Sequence, residues 1–284
     1  MVQSNIRSVD HLVLPVSDLE IARARLQSLG FCVAANGRHP FGTENACIFL
    51  PDNTYLEPLA VVDAAEAEGA ITNGNLFVAR DKVFRQHRAE GLSAIVVQSE
   101  DAIADHAAFA AAGVGASGDI LEFSRPVRLP DGQESISSFR LAFAIEPLVE
   151  TFFLFACQRL NPLPVDRDAL ETHANGVLGV KRVLMQTGHK NYQELMTPVF
   201  GRASREITNG HAFDARNMSV EVVVGNDASI GIVVLALVFT VADLKVTEAV
   251  LAANGVCHVR TQDEIVVQAA PGQGVTFLFE ENAL

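Results

Sequence analysis

Glu57 stands inside the otherwise apolar run Tyr55–Val62. A carboxylate buried there costs on the order of several kcal/mol unless it is paired, hydrogen-bonded, metal-bound or protonated. Glu57 is therefore a candidate ligand or general base. His11 lies in a second apolar run, Asp10–Val16. Imidazole nitrogen and carboxylate oxygen together suit Zn, Fe, Mn or Ni, and an open coordination position would polarise a substrate carbonyl or an enediolate. The plain alternative for His11 is a strand histidine satisfied by a backbone carbonyl. Between the two lies His39-Pro-Phe-Gly42-Thr43-Glu-Asn45, read as a loop entering a strand. Gly42 permits a close backbone approach there, while His39, Thr43 and Asn45 offer hydrogen-bonding side chains, or simply turn chemistry. Arg125, Arg140 and Arg182 sit on or beside strands, and any of them inside a pocket would clamp an anion. His173-Ala-Asn175-Gly176 shapes a turn from which His173 could reach the first pocket. His87, His106, His189, His211 and His258 read as surface residues.

The elements that must position these groups repeat along the chain. Asp10–Val16 reads as a strand. Asp18 then caps a helix with apolar residues at Ile21, Ala22, Leu26 and Leu29, and Gly30 stops it. Strand-like runs follow at Phe31–Ala35, Ala46–Leu50 and Tyr55–Val62. The same order recurs from Leu92–Val97, with Asp101 and Gly113, and from Leu235–Val241, with Asp243 and Gly255. In all three the cap and the stop are twelve residues apart. Strand-like segments follow each later helix: Ile120–Val127, Ser135–Ala144 and Thr151–Cys157, then Val256–Arg260, Glu264–Gln268 and Val275–Phe279. A less regular copy fits between, with strand Gly179–Met185, a helix near Tyr192–Val199, and strands near Arg205–Ile207 and Met218–Val224. Pro162 and Pro164 mark a linker. The expected organisation is residues 8–158 as one domain, 159–172 as linker and 173–282 as a second domain. Period-two alternation places His11 with Val13 on one strand face, and Tyr55 with Glu57 on another.

Composition narrows the function. The chain has 284 residues, 49% hydrophobic and 19% charged, enough for a sizeable core. Its formal net charge of −13 argues against nucleic acid and anionic membranes as partners. The longest apolar stretch, Ile230–Val241, is shorter than the ~18 residues of a membrane span, and the first ten residues do not read as a signal peptide. Four cysteines without a CxxC pair suit a reducing cytoplasm. GxSxG, GxxxxGK[ST] and HExxH are missing, and no GxGxxG follows a first strand.

Three motifs together, Asp10-His11-Leu-Val-Leu-Pro-Val16, His39 to Asn45 and Tyr55-Leu56-Glu57, resemble the vicinal oxygen chelate superfamily and within it the glyoxalase-like domain proteins. Leu129-Pro-Asp-Gly132 and His173 to Gly176 add to the likeness. The resemblance implies an α+β fold of four βαβββ units, paired into two curved, mainly antiparallel half-barrel sheets with helices outside. It implies a divalent metal held by His11 and Glu57, with Glu57 catalytic and His39, Thr43, Asn45, Tyr55, Arg140 and His173 around the substrate. The implied activity is a metal-dependent lyase or isomerase reaction on a small oxygenated metabolite, in a protein that could form a homodimer. The alternative is a protein of the same fold that binds a small molecule without turning it over. Only two of the four expected ligands are present. Ala94, Arg182 and Ala236 stand at the first-strand positions of the other units, and the last strands Thr151–Cys157 and Val275–Phe279 lack an interior carboxylate. The first domain is accordingly expected to hold the deeper and more polar pocket. In the second, Ala236, Leu237, Phe277 and Leu278 are expected to fill the cup.

Overall fold

The computed structural model describes residues 6–128, 134–146, 149–161, 167–189, 191–225 and 231–282. Leu129-Pro-Asp-Gly132 and the two linker prolines lie outside them. Unit one runs β1 (Val9–Pro15), α1 (Leu19–Ser28), β2 (Gly37–Arg38), β3 (Thr43–Asn45), β4 (Ile48–Phe49) and β5 (Tyr55–Val61). Two helices, α2 (Ala64–Thr72) and α3 (Leu76–His87), lead to unit two. That unit is β6 (Ala94–Gln98), α4 (Ala102–Ala111), β7 (Leu121–Arg128), β8 (Glu134–Ala144) and β9 (Phe153–Arg159). After the short α5 (Asp168–Glu171), unit three is β10 (Val177–Thr187), α6 (Tyr192–Phe200), β11 (Arg205–Ile207), β12 (Gly210–Asp214) and β13 (Ser219–Val224). Unit four is β14 (Ile232–Val241), α7 (Leu244–Ala253), β15 (Val259–Arg260), β16 (Glu264–Val267) and β17 (Thr276–Glu281).

The expected caps form. The Asp18 carboxylate accepts from the N–H groups of Glu20 and Ile21, Asp101 from those of Ile103 and Ala104, and Asp243 from that of Lys245. The repeated βαβββ order is therefore what the chain folds into. One sheet runs β2-β3-β5-β1-β6-β9-β8-β7, with β4 also on β5, and the other β11-β12-β13-β10-β14-β17-β16-β15. Each sheet is joined at an antiparallel seam, β1 with β6 and β10 with β14. The parallel pairs are β1–β5, β6–β9, β10–β13 and β14–β17. This is the α+β architecture of paired half-barrels that the repeat implied.

Alternation along the strands sorts the core into two. Leu12, Leu14, Leu56, Ile95, Leu154 and Ala156 face the helix side and join one large cluster with α1, α4 and the second sheet. Val13, Leu59, Ala94, Val96, Phe153, Phe155 and Cys157 face the concave side and form a second cluster with Phe41, Phe77 and Val78.

The structure departs from the sequence reading in three places. Residues 31–36 are irregular and not a strand. Phe31 turns away from the first sheet and packs against Phe239, Phe277 and Phe279 at 5.5–6.4 Å between ring centroids. Hydrophobic burial in the second half outweighs the local strand preference. Helices α2 and α3, capped by Asp63 and Asn75, fill a stretch that the repeat left unassigned. Strand β12 also lay outside the expected copy.

The halves meet closely at Gly30, where a Cβ would lie 2.8 Å from that of Asn175. Gly30 ends α1 at φ +88°, so both its conformation and its contact call for glycine. Asn175 is fully buried, donates to the Leu29 carbonyl (2.8 Å) and accepts from the Val177 N–H (3.2 Å). Asn175→Ala leaves both groups without that partner and is expected to cost about 1–3 kcal/mol in a urea titration.

Candidate functional site

The site lies on the concave face of the first sheet. His11 comes from β1, Tyr55 and Glu57 from β5 and Asn45 from β3, while His39 and Phe41 come from the loop before β3. The opposite wall is apolar: Phe77 from α3, Phe123 from β7, Phe139 and Leu141 from β8, Phe155 and Cys157 from β9. These rings leave an inner pocket of about 40 Å³, room for about three waters or a two- to three-atom polar head group.

A short array of charges crosses the base of this pocket. The His11 ring donates through Nδ1 to Asp10 Oδ1 at 2.7 Å and turns Nε2 toward Glu57 Oε2 at 3.4 Å. Asp10 is itself clasped by Arg159, which donates to both of its oxygens. Neighbouring strand residues normally point to opposite faces. Here the pairing of β1 with β6 slips between Val9 and His11, and this bulge lets the adjacent Asp10 and His11 side chains meet. Asn45 donates through Nδ2 to Glu57 Oε1 at 2.6 Å, and the same amide faces His39 Nε2 at 3.4 Å. His39 then uses Nδ1 toward the Thr43 hydroxyl at 2.9 Å. Tyr55 stacks on His11, with ring centroids 4.5 Å apart.

These contacts set the protonation states. Burial opposes charge on His11, yet its hydrogen bonds to Asp10 and Glu57 outweigh burial and raise it above its ordinary value. Burial would raise Glu57, but the adjacent His11 and the Asn45 amide bring it down to about 2. Asp10 is likewise lowered to about 2, by His11 and Arg159 against burial. Burial lowers His39 to about 4. The array therefore favours carboxylate, imidazolium, carboxylate and guanidinium in sequence, with His39 neutral beside it.

The site gathers His11, His39, Asn45, Tyr55 and Glu57, and Thr43 stands behind His39. It does not gather two other candidates. Arg140 alternates with the pocket residues Phe139 and Leu141 along β8 and pairs instead with Glu122 at 2.8 Å. His173 accepts from the Cys32 N–H (3.0 Å) and donates to the Phe49 carbonyl (2.9 Å), tying the two halves together behind the first sheet. Asp10 and Arg159 had no role in the sequence reading. The adjacency of Asp10 to His11 was visible there, but the bulge that turns it into a contact was not.

The donor set carries the metal expectation only as far as His11 and Glu57 facing each other. Among the described residues no three His, Cys, Asp or Glu side chains converge as a metal centre. His11 Nδ1 is bound to Asp10 and Glu57 Oε1 is held by Asn45, so the arrangement fits an acid–base array and offers two protein ligands, His11 Nε2 and Glu57 Oε2, toward a metal.

The second sheet repeats the backbone without the chemistry. The pairing of β10 slips between Val180 and Arg182, matching the slip at Val9 and His11, and places Lys181-Arg182 where Asp10-His11 stand. Glu221 occupies the register position of Glu57, a correspondence that the sequence reading missed. Leu237 and Phe277 point into the large shared core. An open, polar cleft of about 590 Å³ is bounded by Lys181, Arg182, Glu264, Glu280 and Glu281. Two of the four residues expected to fill a second cup thus turn into the shared core instead, and the first pocket is the more enclosed but not the more polar. Lys181 and Arg182 both pair with Glu280, so the cleft's two cations are spent on one of its carboxylates.

Paired half-barrels with a polar constellation on one concave face define a protein of the vicinal oxygen chelate class. A family profile for a glyoxalase-like domain matches residues 9–200, and the chain belongs to that family. Its fold is similar to that of a hypothetical protein from Staphylococcus aureus, at TM-score 0.71 and 12% identity over 98% of this chain and 100% of that one. It is also similar to a triple mutant of 4-hydroxymandelate synthase from Streptomyces coelicolor (TM-score 0.63, 14% identity, 97% and 92% covered). A third likeness is to a xylose isomerase-like TIM barrel/4-hydroxyphenylpyruvate dioxygenase fusion protein (TM-score 0.58, 12% identity), over 98% of this chain and 49% of the fusion. No curated protein matches the sequence. At these identities the structural likeness concerns the fold.

Proposed function

We propose that the first half is an enzyme of proton transfer, acting on a small hydroxy- or oxo-carbonyl compound in the manner of an isomerase or lyase. The observation that supports this reading most is His11, set between Asp10 and Glu57 at the base of a narrow pocket. A substrate oxygen entering beside His11 Nε2 meets a proton donor, and the neighbouring carbon meets Glu57 as acceptor. The two roles reinforce each other. A carboxylate held near pH 2 is a weak base, but the cation that holds it there is His11. Donation of the His11 proton to the substrate oxygen removes that cation, and the basicity of Glu57 rises as it is needed. Asp10, fixed by Arg159, is a positioning residue that keeps the His11 ring aimed at the pocket. Under this reading the second half supports the first structurally.

Wash-in of solvent deuterium tests the proposal. A panel of small hydroxyaldehydes, hydroxyketones and oxo acids is incubated in D₂O and followed by NMR, with the metal content of the purified protein measured in parallel. Exchange at carbon is expected for at least one compound and is expected to survive chelators. Stoichiometric metal whose removal ends exchange would replace acid–base catalysis by metal catalysis. The tightness of the inner pocket favours one competing reading, a binding protein. Saturable binding with no exchange on any compound would support it.

A further inference from the structure

Beside the inner pocket lies a larger outer chamber of about 350 Å³, and Asn45, Tyr55, Arg125 and Phe139 line both. Four arginines reach its walls, in a protein whose formal net charge is −13. Two are spent on carboxylates: Arg159 on Asp10, and Arg38 on Glu66 at 2.7 Å and Glu44 at 3.6 Å. The other two are not. Arg125 has no hydrogen-bond or ion-pair partner among the described residues, and its Nε is buried without an acceptor. Arg167 lies over the Phe49 ring at 4.3 Å and has no carboxylate partner among the described residues.

The backbone makes room for Arg125. A Cβ on Gly37 would lie 2.1 Å from the Arg125 guanidinium and 2.7 Å from Asn45 Oδ1, so bare glycine lets the guanidinium lodge at the boundary between the chambers. Its charge is felt inside, where it adds to the burial that lowers His39. A partly desolvated guanidinium without an acceptor is costly, and its planar fork of N–H groups matches the two oxygens of a carboxylate or phosphate.

We infer that the outer chamber is an oxyanion subsite, in which Arg125, supported by Arg167, holds the carboxylate or phosphate of a small organic anion. The size of the chambers assigns the rest of the ligand. The inner pocket admits only a small oxygenated head, so the charged group stays in the outer chamber while the adjacent oxygen-bearing carbon reaches His11 and Glu57. That placement rests on the proposed reaction in the inner pocket, whereas the anion contact itself is measurable without turnover.

The test uses the full chain at low ionic strength, with lactate and inorganic phosphate as anionic probes and lactamide as the neutral counterpart of lactate. Calorimetric or NMR titration is expected to give saturable binding of at least one anion and none of lactamide, and the stronger anion identifies the group. Arg125→Gln is expected to weaken anion binding tenfold or more, Arg167→Gln severalfold, and Arg140→Gln, on the opposite face of β8, not at all. Arg125→Lys, which keeps the charge without the fork, is expected to retain part of the affinity and serves if Arg125→Gln fails to fold. Equal binding of lactamide and lactate, no binding of either anion by the unaltered chain, or full affinity after loss of Arg125 would overturn the inference. Glu57→Gln separates the two proposals. Anion binding kept in that variant with exchange abolished supports both. Anion binding lost through Arg125→Gln while Glu57→Gln still exchanges deuterium at the full rate leaves the subsite standing and removes the proposed reaction.

Discussion

Glu57→Gln is expected to slow deuterium exchange by a hundredfold or more while the protein stays folded. A hundredfold corresponds to about 2.7 kcal/mol of transition-state stabilisation. The substitution keeps the shape of the side chain, and an amide oxygen can still accept from Asn45 Nδ2, which now donates to Glu57 Oε1 at 2.6 Å. What it removes is the proton acceptor and the negative charge facing His11. His11 would keep Asp10, at 2.7 Å from Nδ1, as its remaining carboxylate. The pH profile should change with the rate. His11 is raised by Asp10 and Glu57 together, so in the variant it should lose its proton at lower pH, a change visible in the chemical shift of its ring protons. A variant that unfolds, yet binds ligand normally per folded molecule, would make Glu57 a structural carboxylate and favour the binding-protein reading.

The second large effect is on stability in mild acid, and it belongs to His39. Burial lowers this ring from its ordinary 6.5 to about 4. Between those values the unfolded chain binds a proton that the native chain refuses, so native stability falls as pH falls through the window. At about 1.36 kcal/mol per pH unit, a window of about 2.5 units is worth about 3 kcal/mol. Asp10 and Glu57 act lower on the scale. Their native values of about 2 lie below the ordinary 3.8 and 4.5, so their contributions are complete above those values and are lost as pH drops toward 2. Urea titrations across pH 3–8 should therefore show two stages of loss in the native chain. His39→Gln, which cannot titrate, should shrink the upper stage and leave the lower one, with His173, also lowered by burial, contributing to what remains. An unchanged upper stage would mean that another group carries it.

Much of this fold was legible because its signals are local. Asp18, Asp101 and Asp243 cap helices through their own side chains, and the spacing to Gly30, Gly113 and Gly255 needs no tertiary information. Strand alternation likewise placed His11 with Val13, and Tyr55 with Glu57, on the faces they occupy. What escaped depends on distant partners. Residues 31–36 lose their strand because Phe31 finds a better pocket more than two hundred residues along the chain. Arg140 leaves the site because β8 presents Phe139 and Leu141 to it, a choice fixed by register with β9. Arg159, Arg167 and α3 come from beyond the first unit, where the motifs that flagged the site end.

The burial of Phe31 also bears on how the molecule comes apart. It sits in one apolar cluster that runs without a break from α1 and β1 through β14 and β17. Neither half can open this cluster alone without exposing rings that belong to both, so thermal melting should follow a single transition. Amide hydrogen exchange should report similar protection for β1 and β14. Severing the chain between the halves would then release no working cup; it would leave Phe31 and the aromatic rings around it facing water, a surface prone to aggregate.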